Sequence, residues 1–169
     1  MAIDLTLKGT SITNREAAPR VLNNAGLGEG AVEKVVWGYH NAVPASLSGT
    51  SIIRLISLPS NAIVTDLRFT SGAQAAGTVD IGVYRTNGDG GAVVDLDFFA
   101  SLVAVTSASL NVDVLNESTT NTLAKQAQPL WQASGMSVDP KSQLDIAITI
   151  ATDITTGLTP IGLRGRYTM

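Results

Sequence analysis

The chain holds one imidazole, His40, and no thiol, so the inventory for chemistry is small. Without cysteine, thiolate nucleophiles, disulfide scaffolds and thiolate metal sites are excluded, and a single histidine excludes a polyhistidine zinc site. A Ser-His-Asp relay through His40 satisfies the residue count, but no G-x-S-x-G nucleophile turn accompanies it. His40 reads instead as an exposed or interface histidine on the even, outer face of a first strand.

Two carboxylates, Asp80 and Asp145, could in principle serve as acid and base. Their neighbours alternate with apolar residues, which puts both on outward strand positions, where solvated carboxylates are expected. Asp89 lies within the run Asn87-Gly88-Asp89-Gly90-Gly91, and Asp95 and Asp97 follow it. A calcium loop needs acidic ligands at alternate positions and a closing Glu. This run leaves that pattern early and reads as a hairpin turn followed by a helix with an acidic first turn. Gly26-Leu27-Gly28-Glu29-Gly30 lacks dinucleotide-loop spacing, and no phosphate-loop motif exists. No cofactor and no metal are expected. Trp37 and Trp131 read as core or interface anchors rather than base-stacking platforms. Arg164 and Arg166 alternate with Leu163, Gly165 and Tyr167, so both project from one side of a last strand. A solvated, charged sheet edge is the plain expectation; a contact patch for an acidic partner is the alternative.

The elements that would position these residues are strands. From Val35 onward, strand-length segments recur between turn signals. Val35, Trp37 and Tyr39 share a face. Segment 50–58, TSIIRLISL, is apolar on both faces and predicts a central strand. Ile63, Thr65, Leu67 and Phe69 alternate, as do Val79, Ile81 and Val83, then Leu110, Val112 and Val114, then Leu144, Ile146, Ile148 and Ile150. Ile161 and Leu163 begin the last strand after a turn at 155–160. Segment 92–103 departs from period two: Ala92, Leu96, Phe99 and Val103 fall at helical spacing, which predicts a short helix or a bent strand. A helical turn is expected within 122–133, with Pro129 in its first turn. Seven or eight strands without βα alternation predict an all-β, antiparallel, jelly-roll-like sandwich over 35–169 with one or two short helices. The expected core is Ile63, Leu67, Phe69, Val79, Ile81, Val83, Leu144, Ile146 and Ile148.

Residues 1–34 differ, with scattered charges and no sustained period of two. They read as an extended N-terminal arm that orders against another subunit; a poorly ordered terminus or a short helix at 15–24 are the alternatives. Leu5, Leu7, Ile12, Val21, Leu22 and Leu27 are the expected partner-binding residues of that arm.

Composition narrows the function classes. Charged residues are 15% of the 169 and apolar residues 44%, so a sizeable core is available beneath a weakly charged surface. Eleven Lys and Arg against fourteen Asp and Glu give a net charge of −3, which argues against a nucleic-acid partner. Apolar runs are far too short for a membrane span, and MAIDLTLKGT lacks the pattern of a signal peptide. A binding or structural module is expected, not an enzyme.

The segment TVDIGVYRTNGDGGAVVDLDFFASLVA at Thr78–Ala104, with the preceding ISLPSNAIVTDLRF, resembles a passage in structural proteins of tailed bacteriophages. The similar region spans roughly residues 50–104. The resemblance implies a head decoration, or cement, protein: located on the outer surface of the capsid in the virion, partnered by the major capsid protein, and a homo-oligomer, dimer or trimer. It implies no catalytic residue. A tail or fibre-associated β module is the second expectation. A carbohydrate-binding β-sandwich, which needs an aromatic platform on a cleft, is the third, with aromatics at only 5%.

Overall fold

The computed structural model describes residues 32–41, 47, 49–74, 76–154 and 159–169. Leu5, Leu7, Ile12, Val21, Leu22 and Leu27, and with them most of the expected arm, lie outside the described residues, as does most of the turn at 155–160.

Eight strands follow in order: β1 (Lys34–His40), β2 (Ile52–Pro59), β3 (Ile63–Ser71), β4 (Thr78–Arg85), β5 (Val93–Ala104), β6 (Ser109–Asp113), β7 (Gln143–Thr152) and β8 (Ile161–Thr168). They form two four-stranded sheets, β1-β8-β3-β6 and β2-β7-β4-β5, with every pairing antiparallel. β1 pairs with β8, β2 with β7, β3 with β6 and β4 with β5. That is one long hairpin whose successive rungs fall alternately in the two sheets, the winding of a jelly roll. The all-β expectation holds. The expected core residues are all buried, and Leu67, Phe69, Val79, Ile81, Val83, Leu144, Ile146 and Ile148 join one cluster between the sheets. A register shift between Val64 and Asp66 turns Val64 into that cluster in place of Thr65.

Three expectations are corrected. Segment 50–58 is apolar on both faces, yet β2 is an edge strand. Its second face is used elsewhere: Leu55 is the extra residue of a register shift between Arg54 and Ile56, and its carbonyl presses on β1. A Cβ on Gly38 would stand 1.8 Å from Leu55 O, so only glycine lets the two sheets touch there. Consequently the even face of β1 is the inner one, while Val35, Trp37 and Tyr39 point outward, 53, 70 and 72% exposed. His40, on that even face, stands exposed at the strand end.

Segment 92–103 is the bent strand and not the helix. Val83 pairs with Asp95 and Ile81 with Ala100, so five steps along β5 oppose two along β4. The surplus chain arches over Gly82, where a Cβ would lie 2.1 Å from Leu96 O. It also turns Phe98 and Phe99 both inward, packed edge to face with centroids 4.7 Å apart. The bulge imitates helical spacing because it breaks the period of two.

The turn chemistry reads as expected. Asn87–Asp89 forms a 3-10 turn, with Thr86 Oγ1 accepting from the Asp89 N–H and Gly90 at φ 88°. The one short α-helix among the described residues, α1 (Leu130–Ala133), starts just after Pro129, which caps it.

Candidate contact surface on one sheet

The outer face of the β1-β8-β3-β6 sheet gathers the residues with the most to offer a partner. Register places them in rows across the strands. Val35 lies opposite Arg166, and Arg166 opposite Asp66. Trp37 lies opposite Arg164, Arg164 opposite Arg68, and Arg68 opposite Asp113. Tyr39 lies opposite Gly162 and Gly162 opposite Thr70, whose Oγ1 accepts the N–H of Asn111 at 3.1 Å.

The middle rows are an ion network. Asp66 takes Arg68 Nε at 2.7 Å, Arg164 at 3.5 Å and Arg166 at 3.8 Å. Glu33 takes Arg166 at 3.3 Å and the Thr65 hydroxyl at 2.9 Å. Asp113 takes Arg68 at 3.2 Å. Three guanidinium groups thus face three carboxylates, and the network is electrically balanced. This corrects the reading of Arg164 and Arg166 as a charged edge. β8 is an interior strand, and register brings it carboxylates from its own chain.

Above the network stand the aromatics. Arg164 lies 5.4 Å from the centroid of the Trp37 ring, a cation–π stack that fixes the indole while leaving most of it open. Trp37, Tyr39, Thr70, Asn111, Gly162 and Arg164 line a groove of about 270 Å³. Gly162 forms its low point, with Tyr39 to one side and Thr70 to the other.

The other expected groups do not converge. Asp80 and Asp145 are both 7% exposed, against the expectation of solvated carboxylates. Groups from the neighbouring strands bond to both and take the place of water. Asp80 accepts the Leu102 N–H at 2.7 Å; Asp145 accepts Arg54 at 2.8 Å and the Ser57 hydroxyl. Asp80 pairs with Thr149, while Asp145 pairs with Tyr84 further along β4. This separates the two carboxylates by ~14 Å, beyond an acid–base pair. Asp89 belongs to the turn, with the Thr86 hydroxyl donating to it. Asp95 lies on β5, where burial and then the charge of Asp97 push its carboxyl above the usual range. Among the described residues no group of three or more His, Asp or Glu could hold a metal, and no helix is long and apolar enough to cross a membrane. Trp131 packs partly buried against the core on α1; Trp37 is no core residue.

Sequence reasoning named Trp37 and Arg164 but not Tyr39, Thr70, Asn111 or Gly162 as members of one site. One signal was available. A glycine inside a strand marks close backbone approach, so Gly38 already marked the even face of β1 as the inner one.

No family model matches the chain, and no curated protein matches its sequence. Among solved structures, a chain of the cyanophage Pam1 capsid asymmetric unit matches with a TM-score of 0.53 at 17% identity, over 91% of this chain and 96% of that chain. A chain of the capsid of Ralstonia phage GP4 matches at a TM-score of 0.46 and 15% identity, over 82% of this chain and 84% of that one. The first likeness is one of fold.

Proposed function

We propose that the protein is a virion structural component that binds the outer surface of a phage capsid and stabilises the joints between major capsid subunits. The observation that carries this reading is the likeness of fold to a chain of the cyanophage Pam1 capsid, over 91% of this chain and 96% of that chain. The resemblance of residues 50–104 to phage structural proteins points the same way. Attachment acts by mass action: a protein that binds only the assembled shell stabilises that state, by an amount that grows with the logarithm of its free concentration relative to Kd. A dimer or trimer suits the symmetry axes of a shell. The reading gives the chain no catalytic role, in keeping with carboxylates spent on structural bonds.

In this reading Leu5, Leu7, Ile12, Val21, Leu22 and Leu27 supply the docking contacts. The test is removal of residues 1–31, which spares Glu33 and its bonds to Arg166 and Thr65. The truncated chain is expected to melt as the full chain does while sedimenting with capsids much more weakly. Unchanged capsid binding overturns the arm's role. Absence of the full chain from filled heads, with recovery in tails, replaces the head reading with the tail-module one.

A further inference from the structure

We propose that the groove between Trp37, Tyr39 and Asn111 is a binding site for uncharged pyranose sugars. This goes beyond capsid attachment and does not rest on it.

The argument starts from side-chain chemistry. A pyranose ring presents a face of C–H bonds and a rim of hydroxyls, and so needs an aromatic surface beside hydrogen-bonding groups. β1 supplies the first: Trp37 and Tyr39 project from the same face, 70 and 72% exposed, ~7 Å apart along the strand. The electron-rich ring faces attract the positive edges of C–H bonds. The far side supplies the second. The Thr70 hydroxyl accepts one bond from the Asn111 N–H and keeps its own proton to donate. Asn111 is exposed and held at φ 58°.

Between these two sides lies Gly162. Tyr39 and Thr70 are two strand steps apart, ~10 Å between backbones, with no side chain between them. A ring can settle there against bare backbone. A Cβ at Gly162 would stand 3.0 Å from Gly38 O and 3.1 Å from the Tyr39 Cβ, so a side chain would crowd this floor.

Charge selects the class of sugar. The basic groups beside the groove, Arg68, Arg164 and Arg166, are matched by Asp66, Asp113 and Glu33. An anionic ligand would meet the charge of these carboxylates and a cationic one that of the guanidinium groups, whereas a neutral ligand meets no such repulsion. The groove's volume of about 270 Å³ suits one or two rings and is small for a protein segment.

The test uses the full chain. It is titrated with methyl glycosides of glucose, galactose, mannose and N-acetylglucosamine and with their di- to tetrasaccharides, followed by saturation-transfer NMR and calorimetry. A sialylated trisaccharide serves as the anionic comparison. Binding of at least one neutral sugar is expected. Trp37→Ala and Tyr39→Ala should each weaken it by about tenfold, the scale of one lost aromatic contact. Thr70→Val should weaken it less, and Leu123→Ala, at a site 83% exposed elsewhere, should not change it. All variants should keep the parent melting temperature. The proposal is overturned by no binding at ~10 mM sugar, by preference for the sialylated sugar, or by binding that Trp37→Ala leaves intact. It is equally overturned if Trp37→Ala lowers the oligomeric state or the affinity for capsids, because the face would then be covered by a second copy or by the shell. Loss of capsid binding on removing residues 1–31 leaves this site untouched, so the two readings fail separately.

Discussion

Arg54 shows how much one side chain can hold. Its guanidinium donates to Asp145 at 2.8 Å, to Arg85 O at 2.7 Å and to Gly91 O at 2.8 Å, and it lies over the Tyr84 ring. It therefore ties β2 to β7 and to both ends of the turn between β4 and β5. Arg54→Ala leaves Asp145 without its cation and two carbonyls without donors. The expected loss is about 2–4 kcal/mol of unfolding free energy, read from urea curves. A loss near zero would mean that water replaces all three bonds. Asp95 behaves in the opposite sense. Burial, and then the charge of Asp97, raise its carboxyl pKa in the folded chain. The folded state thus holds this proton more tightly than the unfolded state does. The contribution to stability is full in acid, below the usual carboxylate range, and is lost as pH rises through the folded pKa. Asp95→Asn is expected to raise the melting temperature at pH 7 and change it little at pH 3. Melting curves across that range check the sign.

At the scale of elements, the β5 arch is the feature that local pattern left open between a short helix and a bent strand. It exists because Gly82 leaves room for the Leu96 and Asp95 carbonyls. Gly82→Ala forces backbone against a methyl group, with no flexible side chain to yield. A loss of about 3 kcal/mol is expected. The displaced arch should also free Phe98 and Phe99, seen as increased binding of a hydrophobic dye. A variant as stable as the parent would show that β5 slides along β4 at little expense. Elsewhere local pattern served well. The turn at Asn87–Gly91 was legible because positive φ and the Thr86 cap are decided within a few residues. The strands β4 and β7 were legible because Val79, Ile81 and Val83, and Leu144, Ile146, Ile148 and Ile150, alternate into the core cluster; β3 does so only from Leu67 on, past its register shift.

The whole molecule depends on the core between its sheets. Ile146 sits on β7, opposite Ile56 on one side and Val83 on the other, and is fully buried. Ile146→Ala should cost about 2–5 kcal/mol, with the transition still cooperative because both sheets share this cluster. Equilibrium denaturation followed by far-ultraviolet dichroism and by tryptophan fluorescence should give coincident curves. Separated curves would show that the two sheets unfold independently.

By itself the sequence determined the class of fold, most of the buried face and the absence of thiol chemistry. These follow from composition and from a period of two, which neighbouring residues settle among themselves. It also placed Trp37 and Arg164 on strands. Tertiary structure decided what those residues do. Gly38 and Leu55 belong to different sheets, and their contact, with Val36 packed on the core, leaves Trp37 and Tyr39 facing outward. Asp66 and Arg164 are far apart in the chain and meet only through the register of β3 on β8. Asp80 and Asp145 alternate like solvated carboxylates but are buried by groups from β2 and β5. Strand alternation fixes that two faces exist; which face meets water is fixed by which strand lies across it, and that is a property of long-range pairing.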